Sequence, residues 1–300
     1  MDLTWPLVLA GVLVGLAVGM TGMGGGALLT PTMVLLFGVN PTAAVGSDLA
    51  VSVAMKPVGA VVHHRAGTVR WDIVRWLLPT AVPAGFLGAW LVSLLGSGAE
   101  LQDRLKLAIG AALLLAVVGM AVRPMLARRR EAESPASPVV ARPVPTLLIG
   151  LAGGLIVGIT SVGSGSLIVV MLMLTHPRLR PSELVGTDLV QAIPLVLSAA
   201  LGHLIFGDTR LALAGTVLLG AIPGIYAGAK LATRVPDGAL RWVLAILLVG
   251  SGLSLWDAPG LLIVVVSVAL AAIACWHTYA RRSGSRHRET RDAEAGVEVS

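Results

Sequence analysis

Two short polar stretches interrupt long apolar runs, and their residues suit the holding of an anion. Gly19-Met20-Thr21-Gly22-Met23-Gly24-Gly25-Gly26-Ala27 breaks the run from Trp5 to Phe37. Gly158-Ile159-Thr160-Ser161-Val162-Gly163-Ser164-Gly165-Ser166 breaks a second run, from Thr146 to Thr175. Gly22, Gly24, Gly25 and Gly26 have no Cβ, so the backbone there can turn sharply and come close to a ligand. Helices restarting near Gly24 and Gly163 would present N–H groups that favour negative charge by roughly 0.3–2 kcal/mol. Thr21 in the first break, and Thr160, Ser161, Ser164 and Ser166 around Gly163 and Gly165 in the second, add hydroxyl donors. Small residues in apolar runs also serve plain helix packing. Two aligned polar breaks favour a substrate site instead.

Ionisable residues inside the apolar runs form the second group. Asp48 and Asp188 are costly at membrane depth and are read as coupling or gating residues that carry a proton. Beside Ser47 and Thr187 they equally suit the capping of a helix N-terminus. Lys56, followed by Pro57, is placed to counter an anionic substrate or to pair with Asp48 two turns earlier. His63 and His203 titrate near neutrality, which suits gating; an interfacial polar role is the plainer reading. Gln191, three residues beyond Asp188, belongs to the same coupling group. Pro57 and Pro194 are expected to kink or break their helices. Six histidines and one cysteine without ligand spacing argue against a metal site. Ser164 with His203 as base would suit an intramembrane serine hydrolase. No companion motif accompanies it, and Gly25 stands where Ser164 does in the first break. No catalytic residue and no cofactor is expected.

The elements that must position these residues are membrane helices. The 300 residues are 56% hydrophobic and 13% charged, with mean hydropathy +0.87. Soluble domains carry about a quarter charged residues. Several runs approach the ~20 residues that span a bilayer. Barrel-like alternating segments are missing from the sequence. The net charge of +6 does not indicate nucleic-acid binding, because the arginines sit in loops and tails between apolar runs. Cys275 is the single cysteine, so no intrachain disulfide forms. Met1-Asp2-Leu3 lacks the basic start of a cleaved signal peptide.

The chain repeats itself. Val45-Gly46-Ser47-Asp48-Leu49 recurs as Val185-Gly186-Thr187-Asp188-Leu189, 140 residues on. At that offset His63 meets His203, Gly67 meets Gly207 and Arg70 meets Arg210; the two breaks align at 139. The expected organisation is repeat one over 1–123, an Arg/Pro-rich linker over 124–145, and repeat two over 146–257. An additional helix over 258–281 and a disordered tail over 282–300 follow. Each repeat holds a broken re-entrant hairpin and three transmembrane helices. Nine full crossings would leave Arg178, Arg180, Lys230, Arg234, Arg241 and the tail arginines outside, against the positive-inside rule. Re-entrant breaks place nearly all of them inside, together with the linker and the C-terminus. Three crossings per unit is an odd number, so the units are inverted, with their breaks meeting near mid-membrane. The fold class is an all-α polytopic membrane protein of two inverted repeats plus one helix.

The chain resembles the sulfite exporter TauE/SafE family of membrane permeases. The resemblance is carried by Gly22-Met23-Gly24-Gly25-Gly26 followed by Pro31, and by the Val-Gly-Ser/Thr-Asp-Leu pair. His63-His64-Arg65-Ala66-Gly67-Thr68-Val69-Arg70-Trp71 and the motifs Pro83…Gly88 and Pro223…Gly228 complete it. The resemblance implies a bacterial inner-membrane transporter of sulfite or organosulfonate-type anions. The expected partners are the bilayer, a small anion, and protons or another coupling ion; a homodimer is compatible and nucleic acid is not expected. A cation-coupled transporter of another solute, with both Asp residues as ion ligands, and a non-transporting scaffold remain as alternatives.

Overall fold

The computed structural model describes residues 5–21, 25–96, 98–131, 141–207, 209–232 and 237–274. These form helices alone: α1 (Trp5–Thr21), α2 (Gly26–Phe37), α3 (Pro41–Arg65), α4 (Trp71–Leu94), α5 (Ala99–Glu131), α6 (Pro143–Thr160), α7 (Leu167–Thr175), α8 (Pro181–Phe206), α9 (Leu211–Ala232), α10 (Asp237–Leu255) and α11 (Gly260–Ala274). Six of them are long and apolar enough to cross a bilayer.

Both expected breaks are real interruptions. α1 and α2 have 17 and 12 residues, about 25 and 18 Å, so each falls short of a hydrocarbon core of about 30 Å. α7, with 9 residues, is shorter still. α6 differs from the expectation of a half-helix: its 18 residues make it one of the six candidate spans. Two further differences concern helix continuity. Pro57 and Pro194 lie inside α3 and α8, which run on through them. α5 continues to Glu131, so Arg128–Arg130, at the start of the expected linker, lie on a helix. Gly22, Gly24, Cys275 and the tail 282–300 lie outside the described residues.

α3 and α8 cross at the centre and run antiparallel. A Cβ built on Gly46 of α3 would meet the His203 Cβ at 3.3 Å, and one on Gly186 of α8 would meet the His63 Cβ at 3.2 Å. Ser47 Oγ accepts the backbone N–H of Arg210 at 3.3 Å, and Thr187 Oγ1 accepts that of Arg70 at 3.0 Å. The hydroxyl of each Val-Gly-Ser/Thr-Asp motif therefore holds the turn that leaves the other central helix.

Around this crossing the helices clasp through glycine faces. Gly11, Gly15 and Gly19 of α1 lie against the backbone of Val217, Ala221 and Ile225 on α9. Gly220, Gly224 and Gly228 of α9 lie in turn against Val8, Val12 and Leu16. Gly150, Gly154 and Gly158 of α6 meet Leu77, Ala81 and Gly85 of α4 in the same manner. Lipid is as apolar as any side chain, so close backbone approach and dispersion, not hydrophobic burial, drive such pairs together. One core cluster joins Val45, Leu49, Ile73, Leu77, Ile109, Leu113, Ile168, Leu172, Leu195 and Leu248. A second, with Val14, Leu29, Met33, Val51 and Val217, fills the space around α1, α2 and α9. Large apolar side chains such as Leu9, Leu13, Leu36, Leu148 and Leu219 are left exposed on the outer surface, as a bilayer requires.

Candidate functional site

The second break owes its shape to three left-handed residues. Ser161 ends α6 at φ 59°, and Gly163 and Gly165 follow at 116° and 112°. Glycine takes such angles freely; serine at Ser161 does so at a cost of about 1–3 kcal/mol. Thr160 Oγ1 holds the turn by donating to the Ile156 carbonyl and accepting the Val162 N–H at 3.1 Å. The Gly163 carbonyl collects the N–H groups of Ser166, Leu167 and Ile168. The first turn of α7 is therefore committed to its own loop, and these three amides do not point at a ligand. In the first break the Gly25 carbonyl receives Leu28 and Leu29 N–H as α2 begins.

The two breaks touch. A Cβ on Gly26 would collide with the Ser161 carbonyl oxygen and stand 3.2 Å from Ser161 Oγ. One residue earlier, a Cβ on Gly25 would lie 3.7 Å from Asp48 Oδ1 and 3.7 Å from the Met55 thioether, an ordinary contact. Asp48 thus lies where α2 begins, and it accepts the Thr30 hydroxyl of that helix through Oδ2. Ser52 and Ser161 hydroxyls approach the same carboxylate.

Lys56 continues this line two turns along α3, and its charge lies within reach of both Asp48 and Asp188. Asp188 Oδ1 accepts Gln191 Nε2 at 3.1 Å. All of these side chains are buried: Asp48 and Gln191 are 0% exposed, Asp188 and Ser161 2%, and Lys56 3%. Among the described residues, Lys56 Nζ, Asp48 Oδ1, Ser161 Oγ and Gln191 Oε1 are buried with no hydrogen bond of normal geometry. An unsatisfied buried group costs about 1–3 kcal/mol, and more if charged, so these four atoms mark a polar cluster spread over α3, α8 and the second break and not ordinary packed core.

Most of the expected residues converge here, and some do not. Gly25, Gly26, Ser161, Asp48, Lys56, Asp188 and Gln191 line one connected path; Ser164 and Ser166 are buried in the same loop. Thr21 and Thr160 spend their hydroxyls on their own backbone, Thr21 Oγ1 on the Ala17 carbonyl at 2.8 Å. Each histidine is 15 residues, about 22 Å, along its own helix from that helix's carboxylate, and the antiparallel crossing sets it against the other helix two residues from the other carboxylate, His203 at Gly46 and His63 at Gly186. His203 is buried, with Nε2 2.7 Å from the Gly158 carbonyl. His63 is half-buried, with Nδ1 2.9 Å from Thr68 Oγ1. His203 therefore serves the α6–α8 junction and not Ser164. Thr30, Ser52 and Met55 also border the site; none was marked by a repeat partner or a charge, so no sequence signal singled them out. Among the described residues no cluster of three His, Cys, Asp or Glu side chains forms a metal site.

The family model for Sulfite exporter TauE/SafE matches residues 7–255, a stretch that holds both breaks and the whole α3–α8 crossing. The chain belongs to this family. Members of the TauE/SafE family are permeases and not enzymes, which places the chain among multi-pass membrane transporters. Curated relatives agree. A probable membrane transporter protein, YjnA of Bacillus subtilis (strain 168), is 36% identical over 251 residues, 83% of this chain and 98% of that protein. A second from the same organism, YdhB, is 26% identical over 78% of this chain and 93% of its own length. A probable membrane transporter protein of Xylella fastidiosa (strain Temecula1 / ATCC 700964) is 30% identical over 75% and 84%. No solved structure matches the chain.

Proposed function

We propose that this TauE/SafE member is an inner-membrane secondary transporter of small anions, with sulfite or organosulfonate-type sulfur oxyanions as its substrates. The observation that carries the reading is the buried Lys56 ammonium, which has no hydrogen bond and shares α3 with Asp48, the carboxylate at the two touching helix breaks. A buried ammonium that donates no hydrogen bond inside a membrane protein has a natural partner in an anionic substrate. Ser161 Oγ, beside the Asp48 carboxylate, adds a hydroxyl on the facing break.

Alternating access follows from treating the chain as two inverted units. Supporting this, α1 clasps α9 as α6 clasps α4, and residues 140 apart take matching places in the two clasps: Leu77 and Val217, Ala81 and Ala221, Gly85 and Ile225. The reciprocal Ser47–Arg210 and Thr187–Arg70 contacts point the same way. Rocking of the units about the α3–α8 crossing would open Asp48 and Asp188 in turn. The C-terminus and the Arg178–Arg180 loop face the cytoplasm in this scheme.

The test is flux of sulfite and methanesulfonate into vesicles reconstituted with the purified chain. Lys56→Met should abolish it while the protein stays monodisperse in detergent; undiminished flux would remove the basis of the reading. For topology, a cysteine at position 178 in a Cys275→Ser background should label only from the cytoplasmic side. Labelling from outside would refute the inverted arrangement.

A further inference from the structure

The charges buried at the site are unequal in number. Asp48 and Asp188 are two acids, whereas Lys56 is the one lysine or arginine among the buried described residues. The residue 140 positions beyond Lys56 is Val196, so the duplication that doubled the carboxylate did not double the cation. The charged groups facing Lys56 are Asp188 from α8 and Asp48 from its own helix. Around Asp48 the other elements contribute Thr30 from α2 and Ser161 from the second break, and the titratable His203 and His63 lie against Gly46 and Gly186, each two residues from one of the acids. Since Gly46 opposes His203 and Gly186 opposes His63, the antiparallel crossing sets the two acids toward its opposite ends, with Lys56 between them.

Burying net charge in a medium of low dielectric is costly, and a carboxyl group denied a counter-charge is held as the neutral acid. Two acids and one ammonium are neutral together only when one acid keeps its proton. The ammonium, meanwhile, has no close contact of its own.

We propose that Lys56 is a counter-ion shared between the two carboxylates and the substrate, so that the site takes up one monovalent anion together with one proton. Without substrate, Lys56 balances one carboxylate and the other carboxyl is protonated. An arriving monoanion takes over the charge of Lys56. The carboxylate thus released binds a proton, and the occluded site is neutral again. The balance is one anion and one proton in, with no net charge moved. A dianion would bring a second charge after both carboxyls are already protonated, so it is excluded. This inference rests on the anion-transport reading above and adds its coupling and its charge selectivity.

The test uses vesicles containing the full chain, methanesulfonate as a permanently monovalent probe and sulfate as a dianion, with a pH dye in the lumen. An imposed pH difference should concentrate methanesulfonate about tenfold per pH unit, the value for one coupled proton. Potentials set with potassium and valinomycin should leave the flux unchanged, and sulfate should not enter. In the double variant Asp48→Asn/Asp188→Asn, any remaining methanesulfonate flux should move without protons and follow the potential. Wild-type methanesulfonate flux that follows the potential and ignores the pH gradient would overturn the coupling while leaving anion transport standing. So would entry of sulfate at the rate of methanesulfonate. If neither methanesulfonate nor sulfite moves at all, the anion-transport reading falls and the coupling falls with it.

Discussion

Two adjacent glycines separate steric from chemical explanations of the site. Gly26 stands against the Ser161 carbonyl of the opposite break, whereas Gly25 faces only ordinary contacts at 3.7 Å. Neither has the positive φ that would itself forbid a side chain. Alanine at Gly26 would place a methyl group under the 3.0 Å approach that real Cβ atoms essentially never show, and the blocking atom is backbone, held by the left-handed Ser161 turn. The two breaks must then separate. Overpacking of this kind costs about 1–3 kcal/mol. If transport passes through the state in which the breaks touch, that cost raises its barrier by the same amount, and flux falls roughly 5- to 150-fold at about 1.4 kcal/mol per tenfold. Alanine at Gly25 fits and should hold flux within about threefold of wild type, an effect under about 1 kcal/mol. The assay is initial methanesulfonate flux per reconstituted protein, with thermal unfolding in detergent to confirm that both variants fold. Equal flux in Gly26→Ala and Gly25→Ala would refute the claim that contact between the breaks belongs to the transport cycle.

Three further outcomes follow from the packing. Gly154→Ala would bring its Cβ to 2.5 Å from the Ala81 carbonyl oxygen and 2.8 Å from the Ala84 Cβ, while Gly215→Ala meets nothing within 4 Å. The first should lower the unfolding temperature by several degrees for its ~1–3 kcal/mol; the second should leave it level or raise it, since alanine is the better helix former by about 1 kcal/mol. Thr187→Val removes the acceptor of the Arg70 N–H, and should destabilise the protein by about 1–2 kcal/mol in a denaturation series, more than Thr187→Ser. His176, in the turn between α7 and α8, accepts the Arg142 N–H through Nε2 at 3.1 Å. Burial, with Arg142 next, holds its pKa below the ordinary 6.5. The unfolded chain therefore takes this proton first, so the contribution of neutral His176 is complete above pH 6.5 and is lost as pH falls from there toward the folded value. His176→Gln keeps an acceptor without a titration and should flatten that part of a stability–pH profile; an unchanged slope would assign it to other groups.

The apolar runs were enough to place the helices because lipid imposes length and composition on any segment that crosses it. The apolar pattern sets these two spans at Ala43–His63 and Leu184–Phe206; α3 runs two residues further at each end, and α8 runs three further at its start and ends at Phe206 as expected. The breaks were legible because consecutive glycines and hydroxyl residues cluster there, whereas the packing glycines such as Gly11 and Gly15 or Gly150 and Gly154 recur four residues apart. Direction was not legible. Nothing in the residue type tells that Thr160 turns to its own backbone while Ser161, next to it, directs its hydroxyl toward Asp48. That distinction arises from one left-handed residue. The meeting of Lys56 with Asp188 was hidden for a similar reason, since it depends on how α3 and α8 cross and the two residues lie 132 positions apart. His63 and His203 were marked by their repetition, which proves to follow from a repeated packing contact against Gly186 and Gly46. Repetition identifies what both halves need to fold as readily as what they need to work.

The clasp between α1 and α9 also sets a schedule for biogenesis. Roughly 190 residues must be made between the end of α1 and the start of α9, which takes about 10–40 s at 5–20 residues per second. Through that interval the glycine face of α1 meets lipid or insertion machinery in place of its partner. α4 waits a far shorter time for α6. α1 is therefore among the last of the described helices to be locked, and substitutions along Gly11, Gly15 and Gly19 should show themselves first as lost yield during synthesis, before any defect in the finished protein.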